Sequence, residues 1–102
     1  MPTYILLSTL TPEGRETLYN RPERLEEVNQ EITDFGCKIV AQYAVLGGYD
    51  FVTIVEAQDN ETAAQLSVDL GARGTVNITT LPAIPTDVLR DKLKSGRKIG
   101  SS

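Results

Sequence analysis

The chain contains no histidine. That absence removes the commonest general base and metal ligand and the usual axial ligand of haem. Neither a Ser-His-Asp triad nor a Cys-His pair can be assembled. Cysteine occurs once, at Cys37. An internal disulfide is therefore excluded, and a zinc site from one thiolate and scattered carboxylates is disfavoured. No apolar run approaches the roughly 20 residues that a bilayer-spanning helix needs. The N-terminal Met1-Pro2-Thr3-Tyr4 lacks the basic and then apolar pattern of a signal peptide. These absences predict a cytoplasmic protein with no membrane partner, no metal and no bound cofactor.

What is present fits one folded domain. The chain has 102 residues, of which 40% are hydrophobic, enough for a single core. We place the domain at residues 1–94 and a flexible basic tail at 95–102. Charge is unevenly spread. Residues 90–102 carry five basic side chains and one acid, a net +4, so the remaining body carries −8. A body this acidic repels phosphate backbones and argues against nucleic acid as a partner. The basic end has two readings, a solvated terminus or a segment that docks on an acidic surface, including that of another copy.

Hydrophobic patterning predicts four strands and two main helices. Residues 3–10 read as a strand apolar on both faces at Tyr4-Ile5-Leu6-Leu7. Thr11-Pro12-Glu13 reads as a helix cap, a first-turn proline and a first-turn acid, with Gly14 and Asn20 limiting the helix to one short turn. Pro22 opens the first long helix, whose stripe is Leu25, Val28, Ile32 and Phe35. Its late acids Glu31 and Asp34 oppose the helix dipole. Strands are predicted over 37–46 and 49–56. A second helix, capped by Asp59, runs to about Ala72 with small apolar residues suited to close packing. A fourth strand covers 75–81, Pro82 and Pro85 break the chain, and 85–93 forms a short terminal helix. The order β-α-β-β-α-β favours a ferredoxin-like α+β fold. Its four-stranded antiparallel sheet would place strand three between strands one and two, with both helices on one face.

Gly47-Gly48 predicts a two-residue hairpin turn. Val45 would then pair with Asp50, Tyr43 with Val52, Ala41 with Ile54 and Ile39 with Glu56. Paired residues share a face. The face with Ile39, Ala41, Tyr43, Asp50, Val52 and Ile54 is the more apolar, so we expect it to meet the helices. The opposite face would expose Leu46, Tyr49, Phe51 and Val55, a patch that calls for a partner. The expected partner is a second copy, sheet to sheet, with higher oligomers also open. A bulge or a longer turn would swap these faces.

The chain resembles the GYD domain family. The resemblance rests on Leu46-Gly47-Gly48-Tyr49-Asp50-Phe51-Val52, followed by Val55-Glu56-Ala57. Supporting pieces are Met1 to Leu7, Pro22-Glu23-Arg24-Leu25, Ala63-Ala64, Leu70-Gly71, Gly74 and Thr80-Leu81. It departs from that pattern at Arg21, where a capping Ser is expected. The family resembles the dimeric α+β barrel group, which implies sheet-to-sheet pairing and a pocket between helices and sheet. Members of the wider group include cofactor-free monooxygenases, isomerases and haem enzymes. Fold likeness alone assigns no activity.

Three residues are candidate ligand contacts. Asp50, at the start of strand three, is either a tie between loop and helix or a ligand anchor. Tyr43 is either an edge tyrosine with a satisfied hydroxyl or a proton-transfer group beside Asp50. Ser8 ends strand one and is either plain turn chemistry or a hydroxyl offered to the same place. Cys37 has no activating neighbour and reads as inert. Three functions follow: a homo-oligomeric small-molecule binding or sensing domain, a cofactor-independent enzyme using Tyr43 and Asp50, or an interaction module without a pocket.

Overall fold

A computed structural model describes residues 1–96 and 99–100. Half of the expected flexible 95–102 tail lies outside the described residues. Strand β1 spans Thr3–Leu10, helix α1 Pro12–Asn20, helix α2 Arg24–Asp34 and strand β2 Lys38–Ala44. Strand β3 spans Phe51–Glu56, helix α3 Asn60–Gly71, strand β4 Val76–Ala83 and helix α4 Thr86–Lys94. The four strands form one sheet in the order β2-β3-β1-β4, and every pairing is antiparallel. Strand β3 thus lies between β1 and β2, as the connections require. Among the described residues no helix is long and apolar enough to cross a membrane.

Helix α1 is longer than the single turn expected. Thr11 caps it, accepting from the Gly14 N–H at 3.1 Å, and Pro12 occupies the first turn. Gly14 is there for packing. A Cβ at this position would lie 1.9 Å from the Thr75 carbonyl oxygen. The helix start is pinned to the same loop by Thr11 N–H to the Thr75 carbonyl (3.0 Å) and Thr11 Oγ1 to the Gly74 carbonyl (2.7 Å). Helix α3 starts as predicted, with Asp59 accepting from the Thr62 N–H at 2.8 Å. Pro82 does not break the chain. It pairs with Tyr4 inside β4, an edge strand where its missing N–H is tolerated.

The core lies between the sheet and helices α2 and α3. It is built from Tyr4, Leu6, Ile32, Cys37, Val55, Ala57, Ala63, Leu66 and Leu70. Ala63 is the small residue that lets α3 approach, and Ser67 meets Thr80 of β4 through their hydroxyls. Burial raises the pKa of the Cys37 thiol, which keeps it protonated and unreactive.

The hairpin corrects the face assignment. The predicted pairs Tyr43–Val52 and Ala41–Ile54 form, and the Val45 N–H bonds the Asp50 carbonyl at 2.9 Å. Only Gly47 of the two glycines has positive φ, so the connection differs from the turn expected, though it keeps the register. A bulge at Val40 then shifts the ladder, so Ile39 meets Val55 and Lys38 meets Glu56. The bulge lets β2 turn Ile39 to the core while Ala41 and Tyr43 face away from it. In β3 the helix-facing set is Phe51, Thr53 and Val55, paired with the buried Ser8, Leu6 and Tyr4 of β1: Val55 is fully buried at 0% exposure, and Phe51 lines the space beneath the helices. Neither belongs to the open face. Leu46 and Tyr49 are exposed in the β2–β3 connection.

Candidate functional site

The helix side of the sheet encloses a cavity of about 180 Å³. Its floor is the set of side chains that alternate inward: Leu6 and Ser8 from β1, Gln42 from β2, Phe51 and Thr53 from β3, and Ile78 from β4. Its roof is the apolar stripe of α2 at Leu25, Val28 and Ile32, with Leu18 of α1 and Leu70 of α3. The period of 3.6 on the helix and 2 on the strands puts these residues face to face.

The polar groups gather on one side. The Asn29 Nδ2 donates to Gln42 Oε1 at 2.8 Å, and Gln42 Nε2 returns a bond to Asn29 Oδ1 at 3.2 Å. Gln42 Nε2 also donates to Thr53 Oγ1 at 3.1 Å. This reciprocal amide pair joins α2 to β2 and makes a polar face acceptable against the helices. Ser8 is only 8% exposed and lines the same cavity. Its hydroxyl takes part in none of the side-chain hydrogen bonds of the described residues. No group of three or more metal-ligating side chains occurs among the described residues.

The rim carries charge. Arg24 and Arg73 line the cavity, and both reach Glu31, Arg73 at 2.7 Å and Arg24 at 3.4 Å. Arg24 also holds Glu27 at 3.0 Å, and Arg73 approaches Asp69 at 3.7 Å. The hydrogen bond from Arg73, aided by the nearby charges of Arg73 and Arg24, holds the Glu31 carboxyl below its usual range. The same pairing raises Arg73 further. Glu31 thus opposes the dipole of its own helix because it bridges to the end of α3.

The three candidate ligand contacts do not converge on this cavity. Ser8 lines it; Asp50 and Tyr43 do not. Asp50 instead extends the β1–β3 ladder past its last regular pair. Its N–H donates to the Ser8 carbonyl at 2.8 Å, and its Oδ2 accepts from the Leu10 N–H at 2.8 Å. The carboxylate therefore fixes the end of β1 immediately before α1. Tyr43 stands 61% exposed on the open face.

Asn29, Gln42 and Thr53 carry no local signal as site residues in the sequence, because only the packing of α2 on β2 and β3 brings them together. Arg24 and Arg73 carry no signal beyond the misplaced acid Glu31. At the far end of β1, the buried Tyr4 hydroxyl donates to Asn60 Oδ1 at 2.6 Å. Burial, with Asp59 and Glu61 nearby, raises the Tyr4 pKa.

This arrangement can be set beside known proteins. The model of the GYD domain matches residues 4–93. The chain belongs to the GYD domain family. A Thermus thermophilus relative, named glutamine synthetase and cystathionine beta-lyase binding protein, is 57% identical over 95 residues. That match covers 92% of this chain and all of the relative. The crystal structure of TTHA0845, also from Thermus thermophilus, is similar with a TM-score of 0.53 and 23% identity. The match covers 83% of this chain and 95% of the other, a likeness of fold alone.

Proposed function

We propose that this GYD protein is a homo-oligomeric binding module that docks on metabolic enzymes, with glutamine synthetase and cystathionine β-lyase as the first candidates. The observation that carries this reading is the 57% identity to a relative named for binding those two enzymes, over that relative's full length. The fold is compatible with such a role. The face of the sheet without helices presents Ile5, Leu7, Val52 and Ile54 half-covered, with Tyr43 and Leu81 exposed. A patch of this kind marks an interaction surface. We assign it to sheet-to-sheet pairing of two copies, which leaves the helix layer and its ion pairs to face an enzyme. Interferometry against purified glutamine synthetase and cystathionine β-lyase from the same organism tests the reading. Saturable binding to either supports it, and no binding to both at tens of micromolar defeats it.

A second reading is favoured by the cavity. At about 180 Å³ it is smaller than the roughly 300–1,000 Å³ of most ligand pockets. It is mostly apolar, with the Ser8 hydroxyl and the Asn29–Gln42 pair as its polar side. Such a site suits a small uncharged molecule with one polar end, because the rim arginines are already neutralised by acids. A thermal-shift screen of neutral metabolites tests this, with Val28→Trp as the filled control. Stabilisation of the native chain but not of the variant supports a ligand. Equal responses would remove it.

A further inference from the structure

Helix α4 is out of keeping with the rest of the molecule. None of its residues is buried, and Ile84 to Gly96 are exposed throughout. Isolated helices this short are marginal in water. Yet this one is sharply amphipathic. Leu89 and Leu93 are one turn apart with Val88 beside them, and Asp87, Arg90, Asp91 and Lys94 occupy the opposite side. Ile84, Val88, Leu89 and Leu93 are each half to two-thirds exposed. Pro85 is extended at φ −55 and ψ 137, so the chain continues onward from β4. The described structure measures 61 × 30 × 21 Å with a radius of gyration of 16.6 Å. About 13 Å is usual for a compact chain of this length. The arm is part of the domain, since the family match extends to residue 93.

Two observations indicate what covers it. The open sheet face is an apolar surface of the same chain that also lacks a cover, and its outer margin on β2 exposes Val40 and Tyr43. The chain from Ile84 onward carries five basic side chains and two acids, a net +3, against −7 on residues 1–83, so the arm of one copy is attracted to the body of another.

We propose that α4 is an exchange arm that packs Leu89 and Leu93 against the β2 margin of a second copy, beside Val40 and Tyr43. This rests on the pairing of copies through the open face. The full chain carrying Leu89→Asp and Leu93→Asp tests it by sedimentation equilibrium, with circular dichroism to confirm folding. The expected result is a dimer dissociation constant raised at least about tenfold, as for loss of a central apolar contact. Carbodiimide coupling in an equal mixture of light and isotope-labelled wild-type chains provides a second readout. Mixed-isotope pairs joined through Lys92 or Lys94 to a body carboxylate are expected. If the wild-type chain stays monomeric up to about 100 µM, both pairing and exchange fail. If the variant dimerises as tightly as wild type, or coupling stays within single chains, pairing stands and the arm proposal is overturned. A variant that keeps its dimer but loses enzyme capture would assign α4 to the enzyme and likewise overturn it.

Discussion

Replacing Asp50 by alanine separates the two roles that its position allows. The side chain accepts a 2.8 Å bond from the Leu10 N–H, and its own N–H bonds the Ser8 carbonyl. Removing the carboxylate leaves the Leu10 N–H without its partner at the junction of β1 and α1. A hydrogen bond to a charged group is worth about 1.5–3 kcal/mol. Asp50 is only partly buried, so water replaces some of the loss, and about 1–2 kcal/mol remains. For about 100 residues each kcal/mol lowers Tm by about 4–8 °C. Asp50→Ala should therefore melt about 5–15 °C below wild type, and Asp50→Asn, which keeps an acceptor oxygen, about half as far below. Urea titration should show a lower midpoint with an unchanged slope. If Asp50→Ala has wild-type stability but loses binding to an enzyme or metabolite, the ladder role is wrong and Asp50 is a ligand contact.

Three further outcomes follow from the packing and charges. Gly14→Ala places a methyl 1.9 Å from the Thr75 carbonyl oxygen. The backbone must yield, so a loss of about 3 kcal/mol is expected in urea, outweighing the gain of up to about 1 kcal/mol in helix propensity. Glu31 has its folded pKa lowered from the ordinary 4.5. Its contribution is fully present above that value and fades as pH falls through the lower folded value. Glu31→Gln should be less stable than wild type at neutral pH, and the gap should close in acid as thermal melts are repeated at falling pH. Gln42→Leu breaks the reciprocal bonds to Asn29 and leaves Thr53 without its donor. A loss of about 1–3 kcal/mol is expected by chemical denaturation.

Much of the architecture is legible because local signals agree with the topology. Thr11-Pro12 and Asp59 each start a helix as cap chemistry requires. Antiparallel connections leave strand three little choice but to lie between one and two. The site is harder to read. The bulge at Val40 has no glycine or proline to mark it, and it brings Ile39 onto the same face as Gln42, Thr53 and Val55. Counting apolar residues favours the wrong face because the inner face carries Gln42 and Thr53. Those two are acceptable there only through Asn29, a contact between α2 and the hairpin that no local pattern encodes. Gly14 reads as a helix breaker, since its partner Thr75 is distant in sequence. Within the signature itself, Gly47 supplies the positive φ of the connection. Tyr49 is exposed, and Asp50 ties β3 to the end of β1.

We propose that this GYD protein binds an enzyme, as its Thermus relative is named for doing. The decisive measurement is equilibrium binding of the full chain to purified glutamine synthetase and cystathionine β-lyase from the same organism. Saturable binding with a defined stoichiometry and a dissociation constant of about micromolar or tighter is predicted. Absence of binding to both enzymes, with the chain folded and oligomeric in the same buffer, would contradict it.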